Sequence, residues 1–333
     1  MQVAGEPAVR AGRWLLPTGA VAALVVLSLA SILVGVGHVD VAALIAGRAD
    51  PDTLRLLLVS RIPRTAAIIL SGTAIAIAAV IMQMLFRNRF IEPTTAGTVE
   101  AASLGLVLVA ILAPGLPMLA RMTAAASVAL VATVLFLRLV ERIPARSSLI
   151  VPLAGLMLGG VIQAVTVFLA LRFDLLQSVA TWTNGDFSGV LRGRYELLWI
   201  GFALAAAAYF IADRFTVVGM GESFATSLGL DHRRIVATGL VIVSLVTSAS
   251  VVTVGTIPFL GLIVANVGSL LMGDNLRRTL PWIAMSGAAF LLACDLAGRL
   301  IRHPYEIPVG TVAGVLGSAL FLMLLLRRGA RLG

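Results

Sequence analysis

The side chains that could carry chemistry in this 333-residue sequence are few and scattered. The three histidines, His38, His232 and His303, lie far apart, and Cys294 is the only cysteine, so no metal-binding spacing or internal disulfide is predicted. All 25 basic residues are arginine. Without lysine there can be neither a GxxxxGK[ST] phosphate-binding loop nor a lysine Schiff base. The sequence therefore predicts no metal, no cofactor and no ATPase activity in this chain.

Two acidic residues, Glu100 and Asp295, fall inside strongly apolar segments. Ionisable groups in such segments are costly and are therefore candidates for function. Asp295 precedes Arg299 by four residues, so a local ion pair near one end of a helix is one interpretation. Glu100 could instead cap or pair a helix end. Nothing in the sequence shows that any two of these groups meet, and a membrane-embedded enzyme is disfavoured for that reason.

The composition is that of an integral membrane protein. Hydrophobic residues make up 59% of the chain and charged residues 12%, against about 25% charged in ordinary soluble domains. The mean hydropathy is +1.04. The first apolar run is too long for the core of a signal peptide, and more runs follow it. We predict an all-α protein with ten transmembrane helices, at about residues 14–36, 65–86, 95–113, 116–139, 149–171, 196–212, 235–254, 257–272, 280–300 and 307–326.

The arginines indicate how these helices are oriented. With the N-terminus placed in the cytoplasm, 15 arginines fall in cytoplasmic segments and 10 outside. Arginine is enriched in cytoplasmic loops, so this count favours cytoplasmic N- and C-termini and an even number of spans. The same rule accounts for the net charge of +9 without any binding of nucleic acid.

The longest charged interruption between apolar runs is the segment 214–234, which this orientation places in the cytoplasm. Within it, residues 222–228 read as one short helix, with Glu222 in the first turn and Gly229 as its C-cap. Phe224 and Leu228 share one face of that helix. A helix of about two turns is unstable alone in water. The segment is therefore either a solvated loop or a docking helix held by a cytoplasmic partner.

Small residues recur at helix-packing spacing in two of the predicted spans. Gly155 with Gly159, and Gly310 with Gly314, form GxxxG pairs that allow close backbone approach. Packing within the chain is favoured over a dimer seam for both pairs. Five spans lie on each side of a break near residues 173–194, which suggests two five-helix halves and an internal duplication of the kind seen in transporters.

Three groups of motifs occur in order along the chain. The first is Arg61-Ile-Pro-Arg64-Thr65 with the segments 82–89 and 92–97, the second lies in 221–229, and the third comprises 255–263, 295–299 and 306–310. Together they resemble the permease subunits of type II ABC importers for iron–siderophore, haem and vitamin B12. The resemblance covers about residues 15–327, and residues 1–333 are predicted to form a single transmembrane permease domain. One departure is the segment 265–269, where the family commonly has Pro-His-Ile-x-Arg, and it affects the expected cargo rather than transport.

The resemblance implies a bacterial cytoplasmic-membrane protein that moves a ferric siderophore into the cell, with haem or vitamin B12 as alternative cargoes. It implies an ATP-binding cassette ATPase dimer on the cytoplasmic side and a periplasmic or lipid-anchored substrate-binding protein outside. A second permease subunit, with a related chain favoured over a second copy, completes the assembly in membrane lipid. A secondary transporter in which Glu100 and Asp295 carry protons is the alternative of another class, and it leaves the short cytoplasmic helix unexplained.

The resemblance also assigns residues to these contacts. Arg61 and Arg64 match positions that pair with glutamates of the binding protein, and Arg299 matches a third such arginine. Arginine suits this role because its planar fork accepts carboxylates in two-point contact. Local pairing, such as Arg299 with Asp295, is the alternative. The residues that resemble the ATPase-coupling helix are Gly221, Glu222, Phe224, Ala225, Ser227, Leu228 and Gly229.

Overall fold

Every regular element among the residues that the computed structural model describes is a helix. The structure describes residues 7–35, 46, 48, 50–142, 150–272 and 276–329. A π-helical turn at Leu57–Arg61 joins the second and third helices. The α-helices are α1 (Pro7–Leu33), α2 (Pro51–Leu56), α3 (Ile62–Leu85), α4 (Thr98–Leu112), α5 (Met118–Glu141), α6 (Ile150–Arg172), α7 (Leu176–Thr183), α8 (Leu197–Phe210), α9 (Ala212–Met220), α10 (Glu222–Ser227), α11 (His232–Val254), α12 (Leu260–Met272), α13 (Leu276–Ile301) and α14 (Val309–Gly329).

The prediction of an all-helical membrane protein is confirmed. Among the described residues, five helical segments are long and apolar enough to cross a membrane, and the bent pair α8–α9 adds a sixth. Four shorter apolar helices match the remaining predicted spans, at Thr18–Leu33, Thr98–Leu112, Leu260–Ser269 and Val309–Met323.

Two of the short helices begin inside the bundle. Helix α4 has 15 residues, or roughly 22 Å at 1.5 Å per residue, which is less than the hydrocarbon thickness of about 30 Å. Helix α12 is shorter still, with 13 residues. The loops that lead into them are buried, with Ile91, Ala96 and Ile257 at most 3% exposed. Irregular backbone is tolerated at membrane depth where protein covers it.

Two local predictions differ from the structure. The segment 214–234, predicted as a charged interruption after the sixth span, begins as a helix, because the chain bends by 66° at Ile211 and resumes as α9 through Met220. Gly221, with φ of 124°, then ends that helix. The predicted break at 173–194 contains the helix α7. In α9, the buried side chain of Phe215 packs into the core and holds this helix in place, a tertiary contact that hydropathy does not reveal.

Helix α3 lies at the centre of the bundle and packs against α8, α11, α12 and α13. Its crossing with α13 is a contact between backbones. A Cβ added to Gly72 would lie 2.8 Å from the Gly287 carbonyl oxygen and the Ala288 Cα. Cys294 is buried nearby in the same core. A close crossing of this kind requires residues without side chains.

Both predicted glycine pairs pack against buried loops of the same chain. A Cβ at Gly155 would lie 2.2 Å from the Thr95 carbonyl oxygen, in the loop before α4. A Cβ at Gly310 would lie 2.8 Å from the Thr256 carbonyl oxygen, in the loop before α12. Gly159 and Gly314 continue these contacts toward Gly97 and Pro258, one turn along each helix.

Candidate functional site

The short charged segment after α9 folds as the helix α10, which is closed at its C-terminus by backbone hydrogen bonds. The Leu230 N–H donates to the Ala225 carbonyl at 3.0 Å, and the Gly229 N–H donates to the Thr226 carbonyl at 2.9 Å. Gly229 has φ of 75°. This pair of bonds around a left-handed glycine is a Schellman motif. The chain then enters α11, whose N-terminus is capped by the Asp231 carboxylate.

Helix α10 presents an apolar face to its surroundings. Phe224 is 45% exposed and Leu228 is 58% exposed, whereas Ala225 between them is buried. Ser227 bonds to the Phe224 carbonyl of its own helix, and Glu222 lies exposed in the first turn. A six-residue helix is too short to be stable by itself, and its two large exposed apolar side chains are not covered by the rest of the chain. Such a surface is typical of a site where a partner binds.

A cleft of about 1410 Å³ opens beside α10, between the ends of α3, α5 and α11. Its walls are apolar, with Leu137, Val140 and Leu240 among the lining residues. Arg87, Arg138, Glu141 and Glu222 also line it. The beginning of α10 is thus one wall of a concave surface that carries charges of both signs.

The opposite end of the bundle contains a buried ion network. Arg64, at the start of α3, donates from Nη2 to Asp295 Oδ1 at 2.7 Å and from Nη1 to Glu306 Oε2 at 2.6 Å. Asp295 also pairs with Arg299 on the next turn of α13. The Asp295 side chain is fully buried, so the network joins α3, α13 and the approach to α14.

Arginines also close the C-terminus of α1 in the same network. Arg61 donates from Nη1 to the carbonyl oxygens of Ile32 and Leu33, at 3.0 and 2.8 Å. Arg299 donates from Nη1 to the carbonyl oxygens of Ser31 and Val34, both at 2.9 Å. Carbonyls at a helix C-terminus lack partners within the helix and carry partial negative charge, so they attract cations.

The structure therefore brings the three arginines assigned to the binding protein together, but inside the chain. Arg61, Arg64 and Arg299 are 5%, 8% and 5% exposed. The pair of Arg299 with Asp295 that the sequence allowed is present, and Arg64 joins it from a distant position. Contact of these arginines with a partner stays a prediction, and it requires that some of these internal bonds be exchanged.

Glu92 is the first residue of the motif segment 92–97, and the sequence did not predict a role for it. Its carboxylate is 1% exposed and accepts hydrogen bonds from the backbone N–H groups of Phe259 and Leu262, at 3.0 and 2.8 Å. The Thr94 hydroxyl donates to the same group. The only sequence signal is an acidic residue in a segment that is otherwise weakly polar, between two apolar spans. It does not reveal the partner, which lies 167 residues away.

The other polar groups of the apolar segments do not form a common site. Glu100 lies beside Gly159 and its Oε2 atom is buried without a hydrogen-bond partner among the described residues. Neither a hydrogen bond nor an ion pair joins it to Asp295 in the described part of the chain. Within the same residues no cluster of three potential metal ligands occurs.

Sequence comparison places this architecture among known transport proteins. The model of the FecCD transport family matches residues 21–327. The petrobactin import system permease protein YclN of Bacillus subtilis is 43% identical over 307 residues, covering 92% of this chain and 96% of that protein. The petrobactin import system permease protein FatD of Bacillus anthracis is 40% identical, covering 93% and 90%. The vitamin B12 import system permease protein BtuC of Citrobacter koseri is 33% identical, covering 80% and 82%.

Structural comparison agrees at the level of the fold. A metal-chelate type ABC transporter solved in an inward-facing conformation superposes with a TM-score of 0.77 over 93% of this chain and 98% of that one, at 22% identity. The family match spans both glycine junctions (the pairs Gly155–Gly159 and Gly310–Gly314 with the loops they contact), the helix α10 and the ion network of Arg64, Asp295 and Arg299. The chain belongs to the FecCD transport family.

Proposed function

We propose that this chain is a permease subunit of an ATP-driven importer that carries a ferric siderophore across the cytoplasmic membrane. The observation that carries the proposal is similarity over more than nine tenths of the chain to two petrobactin import permeases. A ferric-anguibactin permease of Vibrio anguillarum, 38% identical over 271 residues, extends the same cargo class. Vitamin B12 and haem remain the alternative cargoes. ATP hydrolysis belongs to a separate subunit, because a chain without lysine has no lysine-containing phosphate loop.

The proposed architecture has ten spans in two five-helix halves, with both termini in the cytoplasm. The two glycine junctions support the division into halves. In each half a short helix that begins inside the bundle, α4 or α12, follows a buried loop. The second helix after it, α6 or α14, carries the GxxxG pair on which that loop rests. Such correspondence is expected of an internal duplication.

Helix α10 is proposed to dock into the ATPase dimer and to transmit its movements. Two features support this role. Phe224 and Leu228 are large apolar side chains exposed on the proposed cytoplasmic side. The adjoining cleft offers a concave surface on which a partner can bind. Exposed apolar side chains in such a setting are typical of interfaces.

The test measures uptake of a radioactive metal label by cells with and without the chain. The label is iron in ferric petrobactin, ferric anguibactin and haem, and cobalt in cobalamin. Replacing Phe224 and Leu228 together by alanine should lower uptake of the transported chelate at least tenfold, because the apolar contact between α10 and the ATPase is lost. Phe210→Ala is the matched control, since Phe210 is an apolar residue of the same type, 83% exposed, outside α10.

The outcomes separate the alternatives. If deletion of the chain leaves the uptake of every cargo unchanged, the importer assignment is contradicted. Uptake that requires the chain but withstands both the α10 substitutions and ATP depletion favours a secondary transporter. Uptake of cobalamin or haem alone retains the importer and changes its cargo.

The substrate-binding protein is proposed to dock on the opposite face, over Arg61, Arg64 and Arg299. Acidic side chains of that protein would compete with Asp295 and Glu306 for the arginines. The Glu306 side chain is 28% exposed and forms the outer edge of the network, so it is the carboxylate most open to exchange. If Arg64→Ala leaves the affinity of the binding protein for the assembled transporter unchanged, the arginine network is purely internal.

A second permease subunit is proposed to cover α6, and a related chain is favoured over a second copy. Only 22% of the most apolar window of α6 is buried inside the chain, against 89% for the segment that contains α3. This surface suits a helix-packing partner as well as lipid. Co-purification of tagged with untagged copies of this chain would show that the partner is a second copy.

A further inference from the structure

The Glu92 carboxylate is buried inside the bundle, with backbone groups as its principal partners. Both oxygens accept a backbone N–H, one from Phe259 and the other from Leu262. Among the described residues no arginine forms an ion pair with Glu92. The charge is balanced instead by the N-terminus of α12, whose first N–H groups lack partners within the helix and carry partial positive charge.

The contact joins the two corresponding loops of the proposed halves. Glu92 belongs to the loop before α4, which rests on the glycine pair of α6. Phe259 belongs to the loop before α12, where it packs against Gly317 of α14. The carboxylate is therefore a direct link between the two loops, and Asn266 of α12, which donates to the Arg89 carbonyl at 2.9 Å, is a second link to the loop before α4.

The loop on the α12 side is held in an unusual conformation. Phe259 has φ of 61°, a region that residues other than glycine rarely adopt. A Cβ at Gly261 would lie 2.1 Å from the Ala79 Cβ and 3.1 Å from the Glu92 Oε2 atom. Strained backbone persists where its surroundings fix it. The Glu92 bonds to both sides of Gly261 are part of what fixes it here.

We propose that Glu92 is a positioning residue that holds the start of α12 to the loop before α4, so that the two halves of the permease move together during transport. The inference rests on the proposed function for its transport readout. A carboxylate is required because each of its oxygens faces a backbone donor. A glutamine of the same size would turn an NH2 group toward one of those donors whichever way its amide is oriented.

The test compares Glu92→Gln with Glu92→Asp in the assembled importer, with ATPase and binding protein present, using the ferric chelate that the wild type transports. We expect Glu92→Gln to lower the maximal uptake rate per assembled complex at least tenfold. ATP hydrolysis and the half-saturating concentration of loaded binding protein should stay within twofold of wild type. Glu92→Asp, which keeps the charge on a shorter side chain, should restore part of the rate.

Two further measurements keep the result interpretable. Glu196→Gln is the matched control, because Glu196 also accepts a backbone N–H, from Gly193 at 2.7 Å, but lies exposed. It should leave uptake unchanged. Hydrogen–deuterium exchange of the assembled protein should become faster at residues 256–262 in Glu92→Gln and stay unchanged in α5.

Wild-type uptake by Glu92→Gln would overturn the proposal. So would a parallel loss of complex, ATP hydrolysis and uptake that Glu92→Asp does not relieve, since that pattern indicates a folding defect alone. Unchanged exchange at 256–262 would overturn the proposed link directly. Failure of the wild type to import any ferric chelate would instead contradict the proposed function, and the exchange measurement would still decide on the link.

Discussion

Asp295 shows how much of one end of the bundle depends on a single side chain. It is the shared partner of Arg64 and Arg299, and the second of these also holds the C-terminal carbonyls of α1. Removing one member of a buried ion network leaves the others as uncompensated buried charges, which is more costly than the network itself is stabilising. The residue therefore matters to the folded state whether or not a partner docks above it.

We expect Asp295→Asn to lower the free energy of unfolding by about 3–5 kcal/mol, the usual cost of breaking a buried ion pair. The measurement is thermal unfolding of the detergent-purified protein, monitored by loss of helical signal. Asp213→Asn is the control. Asp213 pairs with Arg277 at 2.7 Å, but the Asp213 side chain is 60% exposed, and exposed pairs contribute at most about 1 kcal/mol. Equal losses from the two variants would show that the buried network is not held by Asp295.

The sequence predicted only the local part of this network. Asp295 and Arg299 stand four residues apart on one helix, so their pairing follows from helix geometry. Arg64 lies 231 residues away in sequence from Asp295, and no local rule connects them. The same limit applies to Glu92, because its partners Phe259 and Leu262 lie at least 167 residues away in sequence.

At the scale of single elements, hydropathy located the apolar helices well and their interruptions poorly. Each predicted span overlaps a helix of the structure, because the preference of side chains for an apolar environment is a local property. The bend at Ile211 carries no proline or glycine in its sequence, and packing of α9 against α3 and α11 produces it. Tertiary contacts override local signals at such points.

The glycine junctions allow a sharp test of element packing. Gly155→Ala should destabilise the protein by about 1–3 kcal/mol, because its methyl group would overlap the Thr95 carbonyl oxygen at 2.2 Å. Gly160→Ala, five positions along the same helix, meets nothing within 4 Å and should be neutral or slightly stabilising. Thermal unfolding of the two variants gives the comparison. Similar unfolding temperatures would mean that α6 does not rest on the loop before α4.

The molecule as a whole has two chemically distinct ends connected by a mostly apolar bundle. One end is held by buried arginines and carboxylates, and the other presents the exposed helix α10 beside an apolar-walled cleft. Helix α3 runs between them, with Arg64 at its beginning and Leu85 at the edge of that cleft. Helix α10 packs against α9 and α11, and both of these pack against α3. A movement imposed on α10 can therefore reach the ion network of Arg64 and Asp295 through these contacts and along α3.

Because Cys294 is buried, the native chain should not react with thiol-specific labels in its folded state. Its only sulfhydryl is 0% exposed, so a membrane-impermeant maleimide should leave the folded wild type unmodified. Ser223→Cys, on α10, should then react only in inside-out vesicles, and Arg302→Cys only in right-side-out vesicles, if the proposed orientation holds. Reaction of each variant only in the opposite type of vesicle would reverse that orientation, and reaction of both variants from one side would refute it. The native protein thus needs no cysteine removed before its orientation in the membrane is determined.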